Sequence, residues 1–340
     1  MTDRLRVIDV VEETSDARSV VFSVPPELVE RFAYRPGQFL TLRLRIPGLA
    51  GSSLARCYSL SSSPHEGRLV VTVKRVSKGR GSNWICDNVT VGMELETLPP
   101  AGTFTPRSLD DDMAFFAGGS GITPVISIIR SALAQGRGRL TLVYANRDEQ
   151  SVIFGAELRE LAAAHPGRLL VVHWLESLQG LPSQAALAEL ARPFAPREHF
   201  VCGPAPFMDA VTHALRDLGV PRKRIHLERF VSLDEDPFAS ATPVEATEGT
   251  AARLEVELDG EQHAMAWPPG TKLLDLLRDA GVDAPFSCRQ GSCGACACRV
   301  TGGEVKMLRN EVLDQTDLAE GYVLACQSLP VSETVRVTFD

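Results

Sequence analysis

Residues 288–298 read CRQGSCGACAC and place four cysteines within eleven positions, whereas the other four cysteines of the chain are scattered. The first three follow the spacing C-x4-C-x2-C, and one more, in YVLACQ, comes after 29 intervening residues. This is the plant-type [2Fe–2S] spacing, in which one loop wraps a cluster so that thiolates at fixed offsets converge. Gly291 and Gly294 permit the tight backbone that lets amide N–H groups point at sulfur. The predicted ligands are Cys288, Cys293, Cys296 and Cys326.

Crowded thiols have other uses, namely zinc binding, disulfide formation and packing. Closed zinc sites usually pair two short knuckles, and the fourth cysteine here has no knuckle partner, so the spacing favours iron–sulfur and leaves zinc as the alternative. The N-terminus lacks the apolar stretch of an export signal, and no apolar run reaches the ~20 residues that span a bilayer. We therefore expect a cytoplasmic protein, in which disulfides are rare. Cys298 is surplus to the ligand set, and we expect it to pack.

Length and charge limit the class of protein. The chain has 340 residues, enough for two or three domains with their own cores. Its net charge of −8 is uneven: residues 251–340 carry 8 Lys and Arg against 14 Asp and Glu, and residues 231–250 carry five acids and no base. A weakly basic body joined to an acidic end argues against nucleic acid as the partner. The charge is equally consistent with docking to a protein and with solubility alone.

The pattern along the chain predicts several domains. Residues 1–107 contain short β-branched runs between turn signals such as RPGQ and SKGRGSN, which predicts a small antiparallel β-barrel. Strand and helix patterns then alternate over residues 108–230, which predicts a doubly wound parallel sheet. Residues 231–250 lack periodicity and are interpreted as a linker. Residues 251–340 combine an alternating strand, LEVELDG, with a short amphipathic helix and a closing strand, VRVTF.

Three stretches upstream suggest a source of electrons for the cluster. RCYS, residues 56–59, places a guanidinium, a ring and a hydroxyl at a strand end, which suits a flavin and its phosphate. GRGSNW, residues 79–84, is a glycine-rich turn before a possible helix, whose amides could bind pyrophosphate. GGSGITP, residues 118–124, connects a buried strand to a helix, and we expect Thr123 at the N-cap. Each stretch alone is also compatible with an ordinary strand or turn.

In combination and in this order, RCYSL, GRGSN, GGSGITP, VCGPAPFM and ERF resemble the ferredoxin-NADP⁺ reductase superfamily with a plant-type ferredoxin fused at the C-terminus. The resemblance covers the chain apart from the linker. It implies a FAD-binding β-barrel, an NAD(P)-binding α/β domain and a β-grasp ferredoxin domain. It also implies that a reduced pyridine nucleotide reduces FAD and that the flavin passes electrons singly to the cluster.

The resemblance further implies which residues form the sites. The flavin would be bound by Arg56, Cys57, Tyr58 and Ser59, with the Ser59 hydroxyl near its N5. The FAD phosphates and ribityl chain would be held by Lys74, Gly81, Ser82 and Asn83. The pyridine nucleotide would be lined by Gly119, Ser120, Gly121 and Thr123. Cys202 and Glu228 would flank the nicotinamide, and Phe230 would stack on the flavin until the nicotinamide displaces it. The residues expected to act in catalysis are Ser59, Cys202, Glu228 and Phe230.

The strand end YANRD, residues 144–148, should meet the adenosine ribose of the nucleotide. Arg147 could pair with a 2′-phosphate, whereas Asp148 would repel one, so we expect NADH, with NADPH as the alternative.

The domain order resembles the reductase components of bacterial multicomponent oxygenases, which implies a terminal oxygenase as electron acceptor. IHLERFVSLDEDPF and VKMLRNEVLD are most similar to the reductase of 3-ketosteroid 9α-hydroxylase. Reductases of phenylacetyl-CoA epoxidase or of Rieske-type aromatic-ring dioxygenases are the alternatives. A redox sensor or carrier without turnover is an alternative from another class. The presence of Ser59, Cys202 and Glu228 argues against it.

Overall fold

The computed structural model describes residues 3–47, 53–230, 232–233, 237–238, 250–258, 260–313 and 315–339. The chain divides into two compact units, one of Met1–Pro100 and Phe104–Ser232 and the other of Ala101–Thr103 and Leu233–Asp340. Most of the predicted linker lies outside the described residues. None of the helices in these described ranges is both long and apolar enough to cross a bilayer.

The N-terminal part of the chain is a six-stranded sheet, as the short β-branched runs predict. Its strands are β1 (Asp3–Thr14), β2 (Ala17–Ser23), β3 (Phe39–Leu44), β4 (Leu54–Ser59), β5 (Leu69–Lys74) and β6 (Glu94–Ala101), with helix α1 (Arg80–Asn88) between β5 and β6. The strand order is β4-β3-β6-β1-β2-β5. A bridge between Leu60 and Val71 joins the two outer strands and closes the sheet into a barrel. Apolar side chains such as Leu40 and Phe22 fill its interior.

Residues 113–228 form a parallel sheet with helices on both faces, which confirms the predicted doubly wound fold. Its elements are β7 (Met113–Gly118), α2 (Ile122–Gln135), β8 (Leu140–Asn146), α3 (Gly155–Ala164), β9 (Leu169–Leu175), α4 (Glu176–Gln179), α5 (Gln184–Ala191), β10 (Glu198–Cys202), α6 (Ala205–Asp217) and β11 (Ile225–Glu228). The order is β11-β10-β7-β8-β9, and every pairing is parallel. The direction of winding reverses between β7 and β10. Ligands of such sheets bind in the crevice at the carboxyl ends of the strands flanking this point.

Helix α2 begins earlier than the sequence predicts. Gly121 takes the N-cap position and Ile122 is the first helical residue, so the prediction of Thr123 as the N-cap is wrong. The Thr123 hydroxyl instead donates to the Ser120 carbonyl over 3.0 Å. The early start is possible because Gly119, at φ 52°, turns the chain immediately after β7.

The second unit combines a mixed sheet with a packed helix, which is the predicted α+β arrangement. Its elements are β12 (Ala252–Leu258), β13 (Glu261–Trp267), α7 (Leu273–Asp279), β14 (Ala297–Gly302), β15 (Val305–Met307), α8 (Gln315–Ala319), β16 (Tyr322–Leu324), β17 (Ser328–Pro330) and β18 (Thr334–Phe339). The main sheet has the order β13-β12-β18-β14-β16, with β12 and β18 parallel. Leu273 and Leu277 of α7 are fully buried beside Trp267, so the helix closes one core over the sheet.

Candidate functional site

A cavity of about 380 Å³ opens in the first unit where β4, β5 and the start of α1 meet. It gathers residues from all three upstream motifs, although they lie far apart in the sequence. The predicted site residues that line it are Arg56, Cys57, Tyr58, Ser59, Lys74, Gly81, Ser82, Ser120, Thr123 and Phe230. A cavity of this size, with apolar walls and a few polar groups, is typical of a cofactor site.

Tyr58 and Ser59, which both carry hydroxyls, line this cavity. Ser59 is only 4% exposed, and Tyr58 is half-buried beside it. Burial raises the pKa of Tyr58, so its hydroxyl stays protonated and can donate. Hydroxyls that line a cavity in this way can donate to a polar ligand bound there. FAD offers such acceptors in its ring and phosphates.

The N-terminus of α1 also borders the cavity. Gly79 is its N-cap and makes no side-chain cap, so the first amides of the helix are open to an anion. A Cβ at Gly81 would lie 3.0 Å from Arg56 Cγ and crowd the Tyr58 hydroxyl. Together with Lys74, these amides fit the phosphates of FAD. Asn83 does not line the cavity, and its side-chain amide donates to the Val76 carbonyl over 3.3 Å.

Phe230 follows β11 and stands at the wall of the same cavity with its side chain 49% exposed. An aromatic side chain at this wall can stack on a planar ring in the cavity. This placement fits the stacking role predicted for Phe230.

The glycine loop after β7 packs directly against the segment after β10. A Cβ at Gly121 would lie 2.1 Å from the Cys202 carbonyl oxygen, and one at Gly118 would lie 2.9 Å from Pro204 Cδ. Residues with a side chain at these positions would therefore push the two loops apart. The loops meet at the reversal point of the sheet, and α2 directs its N-terminus to this point. The arrangement fits a pyridine nucleotide with its phosphates at the helix N-terminus.

Cys202 and Glu228 form an uncharged pair beside this loop. They end β10 and β11 and lie opposite each other in the parallel pairing. Burial, and secondarily the Glu228 carboxylate, raises the pKa of the Cys202 thiol well above its usual range. Desolvation raises the pKa of the half-buried Glu228 to about 8. Since this carboxyl is mostly protonated at neutral pH, it can donate a hydrogen bond, which suits the neutral carboxamide of a nicotinamide.

Two carboxylates make polar contacts at the end of β8. The Asp148 carboxylate accepts a hydrogen bond from the Ser151 amide over 2.8 Å and caps the next turn. Arg147 pairs with Asp16, whose Oδ2 accepts from Arg147 Nη2 at 2.8 Å. Neither polar side-chain atom of Asn146 has a hydrogen-bond partner in the described chain, and the Tyr144 hydroxyl donates to the Gly119 carbonyl at 3.1 Å. Unpaired buried amides of this kind are rare in folded proteins.

Sequence reasoning missed the contacts that join the two halves of this site. The segment 61–63, which follows Ser59, is held by the side of α2. Ser127 Oγ and Arg130 Nη1 each donate to a backbone carbonyl of the segment over 2.6 Å, and the Ser131 hydroxyl lies 2.6 Å from one of its hydroxyls. The helix that carries the glycine loop therefore also fixes the strand end that carries Ser59. The sequence does contain a signal for these contacts, because Ser127, Arg130 and Ser131 lie at helical spacing on a helix that is otherwise mostly apolar.

In the second unit the four predicted cluster ligands form two pairs. The Cys288 amide nitrogen lies 3.5 Å from Cys293 Sγ, and the Cys326 amide nitrogen lies 3.5 Å from Cys296 Sγ. A [2Fe–2S] cluster needs two thiolates on each of two irons, so this pairing fits it. Nowhere in the described ranges do three or more His, Cys, Asp or Glu side chains converge closely enough to hold one metal ion. A dinuclear cluster requires only one pair at each iron.

The cysteine loop also supplies donors that stabilise thiolates, the form that binds metal. The Gln290 amide donates to Cys288 Sγ at 3.3 Å. A hydrogen bond from Cys293, supported by backbone amides, lowers the pKa of Cys288 well below its usual range. Gly291, at φ 77°, permits this backbone, and a Cβ there would lie 2.8 Å from the Arg309 carbonyl oxygen.

The surplus Cys298 lies in the apolar core of the same unit, and burial raises the pKa of its thiol to about 12. A neutral buried thiol of this kind packs as a small apolar group, in agreement with its predicted role.

Three families match the chain in the order that the fold shows. Residues 4–105 match an oxidoreductase FAD-binding domain, residues 115–213 an oxidoreductase NAD-binding domain, and residues 256–331 a 2Fe-2S iron-sulfur cluster binding domain. The chain is 56% identical over 339 residues to the ferredoxin reductase component of 3-ketosteroid-9-alpha-monooxygenase from Rhodococcus rhodochrous, covering 98% of this chain and 96% of that protein. The chain belongs to the family of oxygenase ferredoxin reductases.

The reductase is also similar to more distant proteins. It is 35% identical over 352 residues to one of the subunits of the 1,2-phenylacetyl-CoA epoxidase of Escherichia coli, covering 99% of this chain and 97% of that protein. The solved phthalate dioxygenase reductase shares the fold, with a TM-score of 0.57 at 23% identity over 99% of this chain and 98% of that one. The family matches confirm FAD, NADH and a [2Fe–2S] cluster as the cofactors. The roles of the individual residues stay predictions.

Proposed function

We propose that this reductase delivers electrons from NADH to the terminal oxygenase of a 3-ketosteroid-9-alpha-monooxygenase. The observation that carries the proposal is the 56% identity to the reductase component of that name along 98% of the chain. The relative from the epoxidase is 35% identical over a similar length. Its acceptor, a phenylacetyl-CoA epoxidase, is therefore the second candidate.

The chemistry is divided between the cofactors and the side chains that hold them. When bound, FAD takes two electrons from NADH and releases them one at a time to the [2Fe–2S] cluster. We assign the Ser59 and Tyr58 hydroxyls, which line the cavity, to hydrogen bonds with the flavin and its phosphate, respectively. Lys74 and the first amides of α1 neutralise the phosphates. Phe230 covers the ring and excludes water from it.

Glu228 and Cys202 are assigned to the nicotinamide end of NADH. The neutral Glu228 carboxyl donates a hydrogen bond to the carboxamide, and the neutral Cys202 thiol presents a small apolar surface beside it. Charged groups here would have to be desolvated when the nucleotide binds, which costs free energy. The glycine loop and the N-terminus of α2 hold the phosphates, so the ring is oriented from both ends.

The four predicted ligands are assigned to the cluster, with Cys288 and Cys293 on one iron and Cys296 and Cys326 on the other. The pairing is supported by the contacts of the Cys288 amide with Cys293 Sγ and of the Cys326 amide with Cys296 Sγ, each 3.5 Å long. Backbone amides directed at sulfur hold the thiolate form and raise the reduction potential of the bound cluster.

Reconstitution with purified oxygenases tests the proposal. We expect NADH-dependent 9α-hydroxylation of a 3-ketosteroid when the reductase is mixed with the oxygenase component of a 3-ketosteroid-9-alpha-monooxygenase. Product formation with a phenylacetyl-CoA epoxidase oxygenase at an equal or higher rate would favour the second candidate.

A pair of cysteine variants tests the electron route in the same assay. Cys293→Ser should remove steroid product while NADH still bleaches the flavin, because the variant loses a predicted ligand to one iron. Cys298→Ala serves as the matched control, since this buried thiol lies in the core of the same unit, and it should retain product formation. Equal product from Cys293→Ser and wild type would contradict the ligand assignment.

A further inference from the structure

The hairpin between β1 and β2 of the barrel reaches the end of β8 in the nucleotide-binding sheet, and Asp16 is the residue at its tip. Asp16 Oδ2 lies 2.8 Å from Arg147 Nη2 and 3.8 Å from Lys74 Nζ. Its other oxygen accepts a hydrogen bond from the Thr14 hydroxyl at 2.8 Å. The Asp16 carboxylate is therefore fixed between the Arg147 and Lys74 side chains.

This trio lies beside the glycine loop. A Cβ at Gly119 would lie 3.8 Å from Lys74 Nζ, and Arg147 directly follows the last residue of β8, which pairs in parallel with β7. The carboxyl ends of these strands are where a doubly wound sheet meets the adenosine ribose of a dinucleotide. Arg147 keeps 65% of its side-chain surface exposed, so it is accessible to a ligand.

An arginine at this position would normally recognise the 2′-phosphate of NADPH, because its fork binds phosphate with two parallel hydrogen bonds. In this chain the Asp16 carboxylate already accepts a hydrogen bond from Arg147 Nη2. It also places a negative charge where the 2′-phosphate would bind. A ribose hydroxyl, by contrast, can donate to a carboxylate. The site therefore combines a repulsive element against NADPH with an acceptor suited to NADH.

We infer that Asp16 is the coenzyme-specificity residue of this reductase: by pairing with Arg147 it excludes the 2′-phosphate and selects NADH. The inference rests on the proposed function, in which NADH reduces the bound flavin. It places a determinant of nucleotide choice in the barrel, outside the sheet that binds the nucleotide. Asp148, which the sequence suggested for this role, caps its own turn instead.

The test compares flavin reduction by NADH and by NADPH in the FAD-loaded chain, followed by stopped-flow absorbance. Asp16→Asn should raise the ratio of kcat/KM for NADPH to that for NADH by about tenfold, the effect expected when one carboxylate a few Å from a phosphate loses its charge at a partly exposed site. Asp16→Glu, which keeps the charge, should restore a ratio close to wild type. Glu12→Gln, an exposed acid of the same hairpin, is the matched control and should leave the ratio unchanged.

Two further readouts separate specificity from a general structural effect. The inhibition constant of 2′,5′-ADP should fall about tenfold in Asp16→Asn while that of 5′-AMP stays constant, because only the former carries the 2′-phosphate. Adding Arg147→Gln to Asp16→Asn should abolish the gain, since the released guanidinium is what binds the phosphate.

A coenzyme ratio in Asp16→Asn within twofold of wild type, with NADH still reducing the flavin, would overturn this inference and leave the proposed function intact. Failure of either nucleotide to reduce the flavin of the wild-type chain would instead overturn the proposed function.

Discussion

Glu228→Gln should change how the free energy of unfolding depends on pH, and the structure gives the size of this change. Desolvation raises the pKa of Glu228 from its ordinary value of 4.5 to about 8. Between these values the folded chain holds the proton and the unfolded chain does not, so wild-type stability falls as the pH rises. Glutamine is neutral at every pH and has no such dependence. The free energy of unfolding of the variant relative to wild type should therefore increase by about 1.4 kcal/mol per pH unit between pH 5 and 8, or roughly 4 kcal/mol in all. Above pH 8 the difference should level off.

The assay is denaturant unfolding of the FAD-loaded chain at a series of pH values, with flavin fluorescence reporting the first unit. Partial hydration of the half-buried carboxylate reduces the expected change in the free energy of unfolding. An increase of about 2 kcal/mol in the variant relative to wild type across this pH range would still support the reasoning. Glu160→Gln is the control, because it removes one exposed glutamate of α3 and so reports how such a loss alone changes the pH dependence of stability. Parallel stability curves for Glu228→Gln and wild type across this range would refute the reasoning.

Two substitutions test other parts of the site. Gly121→Ala should destabilise the first unit by about 3 kcal/mol and weaken NADH binding, because its Cβ would lie 2.1 Å from the Cys202 carbonyl oxygen. Thermal unfolding and NADH titration measure the two effects, and Gly155→Ala, at the start of α3, is the control. Wild-type stability and NADH affinity in Gly121→Ala would count against the close loop packing. Ser59→Ala should slow flavin reduction by NADH about tenfold through loss of one hydrogen bond to the ring, and an unchanged single-turnover rate would remove Ser59 from the site.

Much of the fold could be predicted from local patterns. The alternation of strand and helix over residues 108–230 specifies a parallel sheet because each element must bury one face against the next. The cysteine spacing specifies the cluster loop because all but one of the ligands lie in a single tight turn. The position of the binding motifs also carries information, since the glycine-rich stretches at 79–84 and 118–124 both lead into the start of a helix.

The contacts between distant segments could not be read in the same way. Asp16 and Arg147 are separated by 131 positions, and Ser62 and Ser127 by 65, so no local pattern reports their pairing. The start of α2 depended on the backbone of Gly119 rather than on the capping preference of Thr123. The raised pKa of Glu228 arises from desolvation, which is a property of the packed protein and not of its neighbours in sequence.

The central claim is a relay from NADH through FAD to a [2Fe–2S] cluster, and an anaerobic titration of the purified chain with NADH tests it most directly. FAD accepts two electrons and the cluster one, so bleaching of both the flavin and the iron–sulfur absorbance should be complete at about 1.5 equivalents of NADH per chain. Bleaching that stops at about one equivalent with the cluster absorbance intact would contradict the relay.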